Sequence, residues 1–192
     1  MHRRPLLDLL DAYQQRHPGE SSCVEKFRTL AQAHEDCFQR NCQPGHITAS
    51  SWIVSHDLER VLLTHHRKLG LWLQLGGHAD GDPCALDVAL REAREESGMQ
   101  RFRVIASGDG DPAIPFDLDV HQIPAHRDEP VHEHYDVRYL LLAEPGQSLV
   151  ISDESNDLRW FTAAQLPAIL HEESLLRMRE KARSLLSSSD SD

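Results

Sequence analysis

The sequence predicts an α/β fold in which a mixed sheet is sandwiched between helices, and three observations carry that prediction. Residues 76–99 read as a glycine turn that runs into an amphipathic helix. Segments rich in β-branched or alternating residues lie on both sides of that helix. Helical periodicity dominates the two ends of the chain. Strands on either side of a central helix, closed by terminal helices, leave a sheet whose two faces must both be covered.

Each element has its own signal. Leu6, Leu9, Leu10 and Tyr13 make one short amphipathic helix, stopped by Pro18-Gly19. Ser22 and Glu25 form a capping-box pattern, and the apolar positions Val24, Phe27, Leu30, Ala31, Ala33 and Phe38 carry a second helix toward Cys42. Pro44-Gly45 end it. Residues 1–45 thus form a helical N-terminal extension, read as packing on the domain, with a cap over the site or a dimer contact as alternatives. From Ile47 the period changes: ITASSWIVS, Arg60–Thr64 and Leu71–Leu75 read as strands. Further strands are expected at Phe102–Ala106, Phe116–Ile123, His134–Leu142, Leu149–Ser152 and LRWF at 158–161. In the second of these, Phe116, Leu118 and Val120 alternate with Asp117, Asp119 and His121. Thr162 caps a helix to Leu170, Glu172–Leu186 is the terminal helix, and residues 187–192 are a disordered tail.

The central stretch carries the chemistry. Asp82 suits an N-cap, Pro83 the first helical position and Gly98 the left-handed C-terminus. Leu86, Leu90 and Ala93 form an apolar stripe. Glu92, Glu95 and Glu96 fall at i, i+3 and i+4 and share another face. Stacked like charges weaken a helix, and a hard divalent cation removes the conflict. Gly77, Arg91, Glu92, Ala93, Glu95, Glu96, Gly98 and Met99 together resemble the Nudix box, G-x5-E-x7-R-E-U-x-E-E-x-G-U with U apolar. One position departs: Pro83 stands where the box has its first Glu. In the family that Glu supports the loop and pairs with the box Arg, so Asp82 or Asp87 is expected to take over as partner of Arg91. The resemblance implies a Nudix-type α/β/α sandwich over residues 46–186. It also implies a Mg²⁺ or Mn²⁺ ion held by Glu92, Glu95 and Glu96, with Arg91 orienting them and Gly76 and Gly77 letting backbone approach the site. The implied reaction is hydrolysis of the pyrophosphate bond of a nucleoside diphosphate linked to another moiety.

Other residues are candidates for the same site. Glu154 lies where such enzymes often draw a general base, and Glu133 is a weaker candidate. Among 13 histidines, His121, His126, His132 and His134 cluster, and His132 and His134 would point to one side of an extended segment. Imidazoles suit zinc, copper or iron, but the remaining ligands of such a site cannot be named from sequence. A substrate-facing rim of His132, His134, Arg127 and Arg138 is the alternative reading. Two rivals keep the fold: an isopentenyl-diphosphate isomerase, against which no cysteine sits in a Cys-x-His-Pro context, and a non-catalytic nucleotide-sugar sensor. Substrate markers downstream of the box are not met, with Ala113 and Phe116 at the relevant positions.

Bulk properties bound these readings. The 192 residues carry a formal net charge of -11, which argues against a protein that coats nucleic acid. No apolar run reaches membrane-spanning length, and Asp8 and Asp11 interrupt the N-terminal one, so no signal peptide is read. Cys23, Cys37, Cys42 and Cys84 show no zinc-finger spacing and read as reduced thiols of a cytoplasmic protein. The expected partner is a small nucleotide-type diphosphate, with a homodimer as a possibility for the N-terminal helices.

Overall fold

The computed structural model describes residues 2–106, 114–125, 130–153 and 155–188. In chain order these form α1 (Arg4–Arg16), α2 (Ser21–Ala33), β1 (Gly45–Val54), β2 (Arg60–His66), β3 (Trp72–Leu73), β4 (Leu75–His78), α3 (Ala85–Ser97), β5 (Phe102–Val104), β6 (Asp117–Ile123), β7 (His132–Ala143), β8 (Ser155–Thr162) and α4 (Glu173–Ser188). β1 is buried along its whole length, as a strand covered on both faces should be. It pairs in parallel with β7 from Gly45↔Glu133 to Val54↔Leu142, and antiparallel with β2 and β4. β5 and β6 add antiparallel to β7, while β3 and β8 add to β2, giving a mixed eight-stranded sheet.

Alternation along the strands divides the core in two. Ile47, Ala49 and Ile53 of β1 and Tyr135, Val137, Tyr139 and Leu141 of β7 face α1, α2 and α3. Trp52, Val54, Leu140 and Leu142 face the other way, against Leu175, Met178 and Ala182 of α4. Leu6, Leu10, Tyr13, Val24 and Phe27 of the N-terminal helices share the first of these cores with β1 and β7.

Several boundaries differ from the sequence reading. α2 stops at Ala33, where His34 turns extended, and residues 37–42 bury Cys37, Phe38 and Cys42 in turns instead of a helix. Residues 149–152 form no strand; the Val150 N–H donates to the Ser97 carbonyl and covers the end of α3. Residues 163–170 hold only a short 3-10 turn, because Gln165 Oε1 accepts from the Thr162 N–H at 2.9 Å and closes a tight corner. Two residues of the expected tail, Ser187 and Ser188, lie in α4, and residues 189–192 lie outside the described residues.

Asp117, on the polar side of the alternation in this segment, is fully buried because α4 covers that side of β6. It belongs to an ionic network. Arg138 donates to Asp136 at 2.8 Å, Asp117 at 3.1 Å and Asp119 at 3.0 Å. Arg177 of α4 also reaches Asp117 and Asp119, and Lys181 reaches Asp117 at 2.7 Å and Glu20 at 2.6 Å. Three aspartates therefore meet three cations, which offsets the cost of removing each from water. Burial pushes the Asp117 carboxyl up, but the Arg177 hydrogen bond and the charges of Arg138 and Lys181 overcome it and leave its pKa below the ordinary value.

A depressed carboxyl pKa adds stability that is present above the unfolded value near 3.8 and is lost as pH falls toward the folded one. Arg138→Met should remove part of that and cost about 3–5 kcal/mol at neutral pH, the scale for breaking a buried pair. The stranded carboxylates then take protons more readily, so the penalty should shrink on acidification. Urea unfolding of both proteins at neutral pH and at mildly acid pH measures this; a penalty that grows with acid contradicts the network.

Candidate active site

α3 packs on the sheet through small side chains. Ala85, Val88, Ala89 and Ala93 are buried, while Leu86 and Leu90 are only partly covered flanks. The expected stripe is thus displaced by one position, because alanines let the helix axis approach β1 and β4. Ser51 Oγ donates to the Ala89 carbonyl at 3.2 Å across that contact. The helix begins at Ala85, two residues later than Asp82 as N-cap would place it. Asp82 Oδ1 accepts instead from the Cys84 N–H at 2.9 Å. The C-terminus is closed by Gly98 at φ 74°.

Glycines on β4 set where the acids fall. A Cβ on Gly77 would lie 2.5 Å from Glu92 Cδ, so the Glu92 carboxylate occupies the space a side chain would fill. A Cβ on Gly76 would lie 2.3 Å from Ser50 Cβ and 2.7 Å from the Ala49 carbonyl. The Gly76 N–H donates to Glu96 Oε2 at 2.9 Å, and Glu96 is buried. Arg91 donates to Glu92 Oε1 and to the His78 carbonyl, both at 2.8 Å. Glu95 is exposed on the adjoining turn. Glu92, Glu96, Arg91, Gly76 and Gly77 are therefore brought together, with Glu95 beside them. Glu154, Arg127 and His126 lie outside the described residues.

The acid missing at Pro83 is not replaced as expected. Asp87 is exposed and bonds Cys84, and Asp82 bonds the Cys84 N–H, so neither holds Arg91. Asp80 does the anchoring: its carboxylate takes both Arg40 nitrogens, at 2.7 and 2.6 Å. The Gly81 N–H donates to the Phe38 carbonyl. Asp80 and Gly81 both adopt positive φ, 51° and 91°, and a side chain at Gly81 would strike Gln39. The turns at 37–42 thus brace the loop, a partnership with no local signal in sequence.

His132 and His134 do share one face of β7, as expected, and the structure adds two residues that the sequence left unnoticed. His46 of β1 and His78 of β4 join them: His46 stacks on His132 at 5.1 Å and lies 4.8 Å from His134 and 5.1 Å from His78, ring centre to ring centre, and His78 meets His134 edge-on at 5.1 Å. Burial and the neighbouring imidazoles push His46 down to about 4 and His134 to about 2, so both are neutral at pH 7. Arg138 corrects the rim reading: it is 1% exposed, committed to three aspartates, and does not face solvent. Glu133 points to the opposite face and accepts from Tyr135 Oη.

Comparison with known proteins gives the family and the fold. The model of the NUDIX domain family matches residues 45–183. A Bacillus subtilis (strain 168) protein named "Putative 8-oxo-dGTP diphosphatase" is 25% identical over 118 residues, 62% of this chain and 68% of that one. A NUDIX-family hydrolase from Clostridium perfringens superposes with a TM-score of 0.58 at 24% identity, over 73% of this chain and 97% of that chain. The C. elegans Ap4A hydrolase gives 0.57 at 14% identity, over 74% and 98%. The NUDIX domain of Shewanella oneidensis NrtR, complexed with ADP ribose, gives 0.51 at 19% identity, over 73% and 87%. At these identities the structural likenesses speak for the fold.

The two glycines should respond differently to alanine. In Gly76→Ala the new atom meets strand backbone, and overpacking should cost about 1–3 kcal/mol. In Gly77→Ala it meets only the end of the Glu92 side chain, which can swing away, so melting should change much less. Thermal unfolding of the two variants decides it; equal losses would mean that Glu92 is held as rigidly as the backbone.

Proposed function

The chain belongs to the NUDIX hydrolase family, and from that premise we propose that it cleaves the pyrophosphate bond of a nucleoside diphosphate linked to another moiety, with Mg²⁺ or Mn²⁺ held by Glu92, Glu95 and Glu96. The observation that carries this is the Glu92 carboxylate seated in the gap left by Gly77, next to Glu96 on the Gly76 N–H. Carboxylate oxygens on adjacent helical turns form a hard donor set that fits such an ion. Bound there, it would offset the charge of the diphosphate and lower the barrier to attack by water.

The chain's own residues prepare that donor set. Arg91 fixes Glu92 through one nitrogen shared with the His78 carbonyl, so helix and loop move as one. The Gly76 N–H orients Glu96. Glu95 lies open to an incoming substrate. Glu154 is the acid proposed as general base. The substrate class fits what the relatives are named for: 8-oxo-dGTP, Ap4A and ADP ribose all carry a phosphoanhydride on a nucleoside.

Phosphate or nucleotide release from ADP-ribose, diadenosine tetraphosphate and a nucleoside triphosphate, with Mg²⁺ or Mn²⁺ and then in excess EDTA, tests the reading. Turnover should require the cation. Glu95→Gln should keep the melting temperature yet cut kcat by on the order of 10²-fold, the scale for losing a key electrostatic group. A wild-type rate with unchanged metal affinity in that variant would remove Glu95 from the site, and full activity in EDTA would remove the metal.

A further inference from the structure

A second cluster of donors lies on the opposite face of the sheet from the glutamates. β4, β1 and β7 are neighbours, and His78, His46 and His134 project from them to one side. One ring nitrogen from each can be chosen so that all three lie within 4.8 Å of one another. His46 is 1% exposed, and neither of its ring nitrogens meets a hydrogen-bond partner at good geometry among the described residues, although the Cys42 backbone lies within weaker reach. A buried imidazole whose nitrogens meet no good partner carries the desolvation penalty of each unmet group. Such a ring needs an occupant to point at.

His132 adjoins this trio through His134. Its Nδ1 lies 2.9 Å from the Pro130 carbonyl, which can only accept, so Nδ1 carries the proton and Nε2 keeps its lone pair. That lone pair sits 3.3 Å from His134 Nε2. Nitrogens bound tetrahedrally to zinc at about 2.0–2.1 Å stand roughly 3.3 Å apart, so this pair already has the spacing of two ligands.

We infer that His46, His78, His134 and His132 form a binding site for one zinc-class divalent ion, separate from the glutamate site. Imidazole nitrogen selects zinc, copper, nickel or iron over magnesium, whereas the carboxylates of α3 select the reverse. The four ligands come from β1, β4 and the start of β7, so the ion ties these strands together. It also fixes His78, the residue that follows Gly77 and whose carbonyl Arg91 grips. The ion thereby braces the glycine turn from the face opposite the acids.

The full-length protein is stripped with chelator and titrated with Zn²⁺ by calorimetry, and with Co²⁺ while recording visible absorption. The expected result is one ion per chain, a raised melting temperature, a tetrahedral Co²⁺ spectrum and no displacement by excess Mg²⁺. His78→Asn and His132→Asn, both less central to packing than His46, should each weaken Zn²⁺ binding by more than about tenfold, the scale already reached when only an outer partner of a metal is lost. Glu95→Gln should leave the Co²⁺ spectrum unchanged, which separates this site from the proposed hydrolytic one. No stoichiometric binding overturns the inference. So does binding that survives both histidine variants, that is lost with Glu95→Gln, or that is lost with Cys42→Ser, which would move it to His34, Asp36 and Cys42.

Discussion

The structure depends on two β-carbons that are absent. Gly76 and Gly77 are consecutive on β4, so they look to opposite faces of the sheet. The space at Gly76 is taken by Ser50, whose hydroxyl donates to Asp136 at 2.7 Å, and Asp136 in turn holds Arg138. The space at Gly77 is taken by the Glu92 carboxylate. One dipeptide therefore admits a buried ionic network on one side and the metal-type acids on the other. Neither could approach if the strand carried ordinary side chains there, since atoms at 2.3–2.8 Å overlap.

The same alternation separates two donor chemistries. His78 continues β4 and looks to the Gly76 side, where His46 and His134 meet it and His132 adjoins both of those. Oxygen donors thus collect on the α3 face and nitrogen donors on the α4 face. Electrostatics reinforces the division. The aspartates of the α4 face are matched by Arg138, Arg177 and Lys181, so that face carries little surplus charge, and its His46 and His134 stay neutral. On the α3 face Arg91 is shared between Glu92 and a backbone carbonyl. The adjoining glutamates there are the proposed ligands of the hydrolytic cation.

What the sequence disclosed was local, and what it hid was nonlocal. The glycine turn, the helix after it and its glutamates lie within 24 residues, and their spacing announces them. His46 and His78 are 32 residues apart and become neighbours only through the β1–β4 pairing, so no periodicity marks them. Alternation puts Asp117 on a polar face, and nothing local in the sequence tells that α4 covers that face. Arg138 looked like a rim residue for the same reason: a charge in a strand is usually a surface group, and its three aspartate partners are set by register with β6 and by its own strand. Helix limits failed where side chains compete with backbone, as with Asp82 on the Cys84 N–H and Gln165 on Thr162.

Pro83 shows how a departure within a motif is absorbed by distant chain. Proline offers neither charge nor N–H, so the loop before α3 must be fixed elsewhere. The Arg40–Asp80 pair is largely exposed, and a pair of that kind contributes at most about 1 kcal/mol. It cannot hold the loop alone. The backbone does more: the Gly81 N–H to Phe38, the Ala79 N–H to Ile47 and the Asp82 N–H to Ala79 tie residues 79–82 down. Those bonds require Asp80 and Gly81 in the left-handed region, and the bidentate arginine holds the non-glycine member there. Phe38, buried in the core shared with α1 and α2, gives this clamp a fixed base. The helices before residue 45 therefore act on the site through packing, by holding the segment that holds the loop.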